Sequence, residues 1–407
     1  LVKCENRLDK ENLIDFNQVV DWSELLGSLD DSLLVLPERP LANLPKARNW
    51  SDVREWMGRD AFTSKLDPYC DALGRDRSYC LSLKNAILLP PAILLTERKA
   101  IIPDTLLRYA SLPHGIIEDD KCELRLAAQM SDPIVIDRPA IYVEMLWGHF
   151  GHALVEGLAR LWPLAAGCPI DPKDYVFVGF GRGIRHSHAP KWLVSMFAEL
   201  GIDFDKQVIF VDRPTKFKKL IVPKRLSPIL SRPGIEMNDL FVHLGKKIEK
   251  SSKIEGGPKK IFLSRSALPL EMRGLPSSQG ERLDSLFESL QYTVAHPQKL
   301  SLPDQVALVR GAQYIVGCAG SQLHLSIFCD RPTPLLKIAT TKFNLVTDSR
   351  LYWVKGGVID EYVVPSPPLI KGNKGSKEGW VLRESDFDAL PDAVVAWESL
   401  NNARTLD

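Results

Sequence analysis

Two constellations in this 407-residue sequence could do chemistry. The first pairs Ser264-Arg265, at the end of the apolar run Lys260–Leu263, with Gly317-Cys318-Ala319-Gly320-Ser321, at the end of the run Tyr314–Val316. Small residues ahead of a helical stretch leave backbone N–H groups uncovered and facing outward, and the helix dipole adds to their pull on an anion such as a diphosphate. An arginine on the neighbouring strand adds a bidentate phosphate contact. A tight strand–helix turn beside a surface arginine accounts for the same residues without a ligand. The second constellation is His149, His152, Glu156 and Arg160. The last three fall at i, i+4 and i+8 on one helical stripe, while Leu154, Leu158, Leu161 and Ala165 share the stripe that faces the core. If the polar stripe lines a cleft, a carboxylate beside imidazoles could take a proton from a substrate hydroxyl. If it faces solvent, Glu156 and Arg160 form an exposed pair contributing a few tenths of a kcal/mol. His149 and His152 have no evident third ligand and no HExxH pattern, so no metal site is assigned.

The elements that position these residues alternate. Between Lys259 and Phe328 the spacing predicts strands at Lys260–Leu263, Tyr292–Ala295 and Tyr314–Val316, and helices at Glu281–Leu290, Pro303–Arg310 and Leu323–Phe328. That rhythm means crossover units on a parallel sheet, with ligands outside the carboxyl ends of its strands. Upstream, strands are expected at Leu33–Leu36, Ala86–Leu89, Ala92–Leu95, Ile134–Ile136, Tyr175–Val178, Val208–Val211 and Phe217–Val222. A helix is expected at Pro190–Leu200, closed by Gly201 as a left-handed cap. Gly179-Phe180-Gly181-Arg182-Gly183 reads as a loop; it lacks the third spaced glycine of a dinucleotide site. Arg182, Arg185, His186 and His188 could edge a basic cleft. Ser51 is a plausible N-cap between Trp50 and Trp56, two aromatic residues that suit a core or an acceptor groove. The segment Pro223–Asn238 reads as an interdomain linker, followed by a helix at Asn238–Glu249. Late in the chain come a strand at Leu335–Ile338, a helix near Phe343–Leu351, a Pro-, Gly-, Lys- and Ser-rich stretch at Ser366–Gly379, and a helix from Glu384 to Asn402.

Composition narrows the classes. The formal charge of +1, with 25% charged residues, gives no electrostatic case for nucleic acid or an anionic membrane. No apolar run reaches transmembrane length. The first residues, LVKCENRLDK, show neither a signal-peptide pattern nor an initiator methionine, so an anchor upstream of Leu1 stays open. Seven scattered cysteines without a C-x-x-C pair suit a reducing compartment, and Cys318 reads as a small filler in its loop.

The back half of the sequence resembles glycosyltransferase family 61. That family shows an apolar strand ending in Ser-Arg, then an arginine and an acidic residue before a helix, then a Gly-x-His-Gly-Ala-Gly-Leu-type loop before a helix with a phenylalanine. Here these are Ser264-Arg265, Arg273 and Glu281, Gly317–Leu323, and Phe328. Ala319 stands in place of the loop histidine and Ser321 in place of an alanine; His324, one helical turn on, is the candidate substitute, or else a helix-surface residue. Further forward, His152, Glu156 and Arg160 fall on the family's His-x-x-x-(Asp/Glu) element. The resemblance implies an α/β fold of GT-B type, with two Rossmann-like domains facing across a cleft. Residues 1–235 would form the acceptor side, 236–380 the nucleotide-sugar side, and 381–407 a helix packing back on the first domain. It implies an inverting, metal-independent transfer from a nucleotide sugar, taken as UDP-linked, to a saccharide or lipid-linked saccharide. Asp119-Asp120 and Asp30-Asp31 are not a metal-binding DxD. Ser264, Arg265, Arg273, Gly317, Gly320, Ser321, Gln322 and His324 would hold the donor. Glu156 would be the base with His152 orienting it, and His149 and Arg182 would meet the acceptor. Bacterial members imply capsule or lipopolysaccharide assembly in the cytoplasm, with at most peripheral attachment to the inner membrane face. A non-catalytic saccharide- or nucleotide-binding subunit and a sugar-nucleotide epimerase are the alternatives.

Overall fold

A computed structural model describes residues 13–14, 33–35, 78–90, 93–95, 116–118, 124–126, 132–168, 170–182, 186–226, 234–268, 275–340, 346–357, 359–364 and 381–404. Trp50, Ser51, Trp56, the two Asp-Asp pairs, Arg185, Arg273, the middle of the expected linker and the stretch Ser366–Gly379 lie outside the described residues, as does the side chain of Arg182. The chain divides into two compact units between Met237 and Asn238. The division falls inside the helix Ile235–Ile248, so the last residues of the expected linker are helical.

The first unit is built on an eight-stranded mixed sheet. Strands Val208–Phe210, Val176–Arg182, Ala140–Trp147 and Thr215–Pro223 lie side by side in parallel, and the long strand Tyr79–Leu89 then runs antiparallel to Thr215–Pro223. The parallel part fits the expected Rossmann-like alternation; the antiparallel edge departs from it. Its core joins Leu81, Leu83 and Leu88 with Tyr142, Val178, Phe217 and Leu220. Gly179 and Gly181, expected in a loop, belong to strand Val176–Arg182. A Cβ on Gly179 would strike the Glu144 carbonyl of the neighbouring strand, so the glycine is there for close approach across a bulge and not for a phosphate. Helix Lys191–Glu199 ends as the sequence indicates. Gly201 has φ +80°, its N–H reaches the Ala198 carbonyl, and the Ile202 N–H reaches that of Phe197. These two bonds make a Schellman cap.

In the second unit five strands are all parallel, in the spatial order Thr293–Ala295, Lys260–Leu263, Tyr314–Cys318, Leu335–Thr340, Ile359–Val364. Counted along the chain this is 2-1-3-4-5, a doubly wound order whose direction reverses between the first and third strands. The strands are short, apolar and covered on both faces, as parallel strands must be. Helix Leu302–Gly311 starts at Ser301, whose hydroxyl accepts from the Asp304 N–H. Segment Ser321–Phe328 is a 3-10 stretch and not an α-helix, and helix Val346–Trp353 forms close to its expected place. In the terminal helix Glu384–Arg404, Phe387, Leu390, Val394 and Trp397 are buried in the core of the second unit, with the Trp397 indole donating to Asp360 at 2.8 Å.

Candidate functional site

The reversal point of the five-stranded sheet brings two of the expected segments together. Leu263 pairs with Gly317 at the carboxyl ends of the two central strands. Beyond them come Ser264-Arg265-Ser266 on one side and Ala319-Gly320-Ser321 on the other. Arg265 is half-buried, and its Nη1 donates to Gln322 Oε1 at 2.6 Å; Gln322 Nε2 in turn donates to the Cys318 carbonyl. Burial pulls the Arg265 pKa down from the usual arginine value. Gly320 sits at φ +154° and ψ +171°, backbone that is essentially reserved for glycine, and a Cβ there would fall on the Arg265 guanidinium. The turn and the arginine are therefore one unit: the glycine gives the guanidinium its seat. Gly320→Ala is expected to push Arg265 out of that seat, cost about 1–3 kcal/mol of stability and weaken anion binding, as read by thermal melting and titration with a nucleoside diphosphate.

The turn is less open than its composition suggests. Gly317 to Gly320 are buried and only Ser321 is half-exposed; the Ala319 N–H is used by the Ile338 carbonyl at 2.8 Å. Cys318 is a filler, its thiol pushed up to about 12 by burial and so held protonated. His324 is neither a surface residue nor a neighbour of solvent. It is 5% exposed, with Nε2 2.9 Å from Asp348 Oδ1, and Asp348 sits in a buried charge cluster with Lys337 and Glu361. Glu281, matched to an acidic position, is exposed on helix Ser277–Ser289.

In the first unit the second constellation is reshaped. After strand Ala140–Trp147 the chain makes one α turn at Phe150–His152, a π turn at Ala153–Gly157 and a 3-10 stretch at Leu158–Leu164. Two changes of pitch in 15 residues break the i, i+4, i+8 stripe. Glu156 and Arg160 are both fully buried, which overturns a polar stripe facing away from the core and equally an exposed Glu156–Arg160 pair. Arg160 donates from Nε to Glu144 at 2.5 Å and from Nη1 to the Pro223 carbonyl, and its guanidinium lies over the Tyr142 ring. Arg225 reaches the same carboxylate at 2.9 and 2.8 Å. Glu144 has φ +64°, at the bulge opposite Gly179. What survives of the stripe is its first pair: His152 Nδ1 lies 3.1 Å from Glu156 Oε2. The imidazole is 32% exposed while the carboxylate is not exposed at all, and His149 stands edge-on to it at 5.1 Å between centroids.

Residues 150–336 match the family model Glycosyltransferase 61. The match supports a transferase of that family, and it spans both the His152–Glu156 pair and the turn at Gly320. No curated protein matches the chain. Among the described residues, no group of three or more His, Cys, Asp and Glu could hold a metal ion, and no helix is long and apolar enough to cross a membrane. Sequence reasoning missed Glu144, Arg225 and Asp348. Only Glu144 left a signal: a lone carboxylate inside the apolar strand Ala140–Trp147 demands a buried cationic partner.

Proposed function

We propose that the protein is an inverting glycosyltransferase of GT-B type that moves a sugar from a nucleotide-sugar donor, UDP-linked in this reading, to a saccharide acceptor in bacterial surface polysaccharide assembly. Cytoplasmic action without a membrane span and without a catalytic metal belongs to the same proposal. The observation that carries it is the pairing of Arg265 with the Gly320 turn at the reversal point of a parallel sheet, where doubly wound folds bind their ligands. There Arg265 would hold the donor diphosphate, with Ser321 at the half-exposed start of the 3-10 stretch.

The acid–base roles are reassigned from the residue types to the burial. Glu156 cannot touch an acceptor while its carboxylate is fully buried. His152, half-exposed, takes the proton at Nε2, while Glu156 holds Nδ1–H and stabilises the imidazolium that forms. The acceptor oxygen then attacks the anomeric carbon as the bond to the diphosphate oxygen breaks on the opposite face. The electron pair leaves with the diphosphate, and Arg265 offsets the charge that develops there.

A panel of nucleotide sugars, read by thermal shift and by nucleotide release with saccharide acceptors, tests this. A transferase shifts in melting temperature and releases nucleotide. An epimerase interconverts sugars without release, and a binding subunit, the reading that Ala319 in place of the loop histidine favours, shifts without either. Arg265→Ala is expected to weaken nucleoside diphosphate binding about tenfold or more, the loss of a charge-assisted hydrogen-bonded contact. Unchanged affinity would remove Arg265 from the site.

A further inference from the structure

The parallel part of the first unit's sheet has a reversal point of its own. Strand Ala140–Trp147 lies between Val176–Arg182, which follows it in the chain, and Thr215–Pro223, which comes last, so the direction of winding changes beside it. Open parallel sheets bind ligands outside the strand ends at such a point. His149, Phe150 and His152 come directly after strand Ala140–Trp147. Trp192 comes after the next strand, at the start of helix Lys191–Glu199. Its indole meets the Phe150 ring edge to face, with centroids 5.2 Å apart and planes at 76°. The buried stripe of the helix is Leu193, Met196 and Phe197; Trp192 lies off it and is half-exposed, as is Phe150. A large aromatic side chain at a ligand-binding edge, steadied by a second ring and left out of the core, is a contact surface.

We propose that Trp192, braced by Phe150, is the stacking platform for the acceptor, and that it takes the sugar ring next to the one that reacts, so that the substrate is an oligosaccharide and not a single sugar. The inference rests on the acceptor reading above and deepens it. The face of an indole carries partial negative charge and suits the polarised axial C–H bonds on the apolar side of a pyranose. Phe150 and His152 are two positions apart on one helical turn and face different ways, so platform and base do not meet the same atoms. Exposed His186 extends the row of rings, edge-on to Phe210 at the end of strand Val208–Phe210 with centroids 5.0 Å apart. Rings that cross the ends of three neighbouring strands fit a chain of sugars lying along that edge.

The test is saturation-transfer NMR on the full chain with cellobiose, lactose, maltose and N,N′-diacetylchitobiose, each beside the methyl glycoside of its non-reducing sugar. At least one disaccharide should bind about tenfold or more tighter than its methyl glycoside, the worth of one stacked ring, with saturation strongest on the axial C–H protons of a single ring. Trp192→Leu keeps an apolar contact with Phe150 but removes the π face. It should melt like the unmodified protein, weaken the disaccharide about tenfold or more and leave the methyl glycoside unchanged. Trp192→Phe, which restores a π face, should recover most of the affinity. Phe150→Leu, which removes the brace, should weaken the disaccharide by a smaller factor and serves if Trp192→Leu fails to melt cooperatively. Disaccharide affinity untouched by these changes, or a loss shared equally by the methyl glycoside, overturns the platform alone. Binding of no saccharide by the unmodified protein overturns the acceptor reading and the platform with it.

Discussion

Replacing His152 by alanine is expected to cut turnover by about 10²–10⁴-fold, the usual contribution of general acid–base catalysis. Nucleoside diphosphate affinity should stay close to that of the unmodified protein, because His152 follows a strand of the first unit and the proposed donor contacts belong to the second. Glu156→Gln keeps the size of the side chain and a hydrogen-bonding oxygen next to Nδ1, but removes the negative charge that steadies the imidazolium. Its loss should therefore be real but smaller than that of His152→Ala. The ordering is the informative part. A base at Glu156 would make Glu156→Gln the more damaging change, whereas a carboxylate with no exposed atom can act only through the ring it holds. Initial rates of nucleotide release, with affinity measured on the same preparations, separate the two; full activity in His152→Ala would dispose of the dyad.

A second large effect is expected in stability. Glu144→Gln removes the charge shared by Arg160 and Arg225, and leaves two buried guanidinium groups facing a neutral amide. Breaking a buried ion pair from one side costs about 3–5 kcal/mol, because the remaining charge is stranded away from water. The geometry around Glu144 magnifies the role of its carboxylate. The residue is held at φ +64°, at a bulge that requires Gly179 opposite, and neither feature is favourable in itself. Arg160 spans from this carboxylate to the Pro223 carbonyl, and Trp162 donates to that of Lys224 at 3.0 Å. Together they tie the 3-10 stretch to the end of strand Thr215–Pro223 and so fix the π turn that carries Glu156. Urea unfolding of Glu144→Gln measures the cost; a change below about 1 kcal/mol would mean that water or a shifted side chain screens the arginines.

The second unit was far more legible than the first. Short apolar runs spaced by amphipathic helices could be read off Lys259–Phe328 because each element buries only against its neighbours in one regular sheet. The strand ends at Ser264-Arg265 and Gly317–Ser321 followed from that regularity. The strand order that puts them side by side did not, since it is settled by long-range pairing between Leu263 and Gly317. In the first unit a helical stripe was inferred from 3.6-residue spacing, and the chain instead changes pitch twice between His152 and Leu164. Local propensity gives no warning of this, because what overrides it is Arg160 reaching a carboxylate 16 residues back and a carbonyl 63 residues on. Glycine misled in a similar way: Gly179 and Gly181 suggested a loop, while Gly179 relieves a backbone collision inside a strand.

The central claim is that the donor diphosphate sits where the order of the second unit's strands reverses. A crystal of the full chain soaked with a nucleoside diphosphate addresses it without any assay of turnover. The expected result is phosphate density beyond the carboxyl ends of strands Lys260–Leu263 and Tyr314–Cys318, within hydrogen-bonding distance of the Arg265 guanidinium and next to Gly320 and Ser321. Nucleotide density elsewhere on the chain, with Arg265 still seated against Gln322 and Gly320, would contradict it.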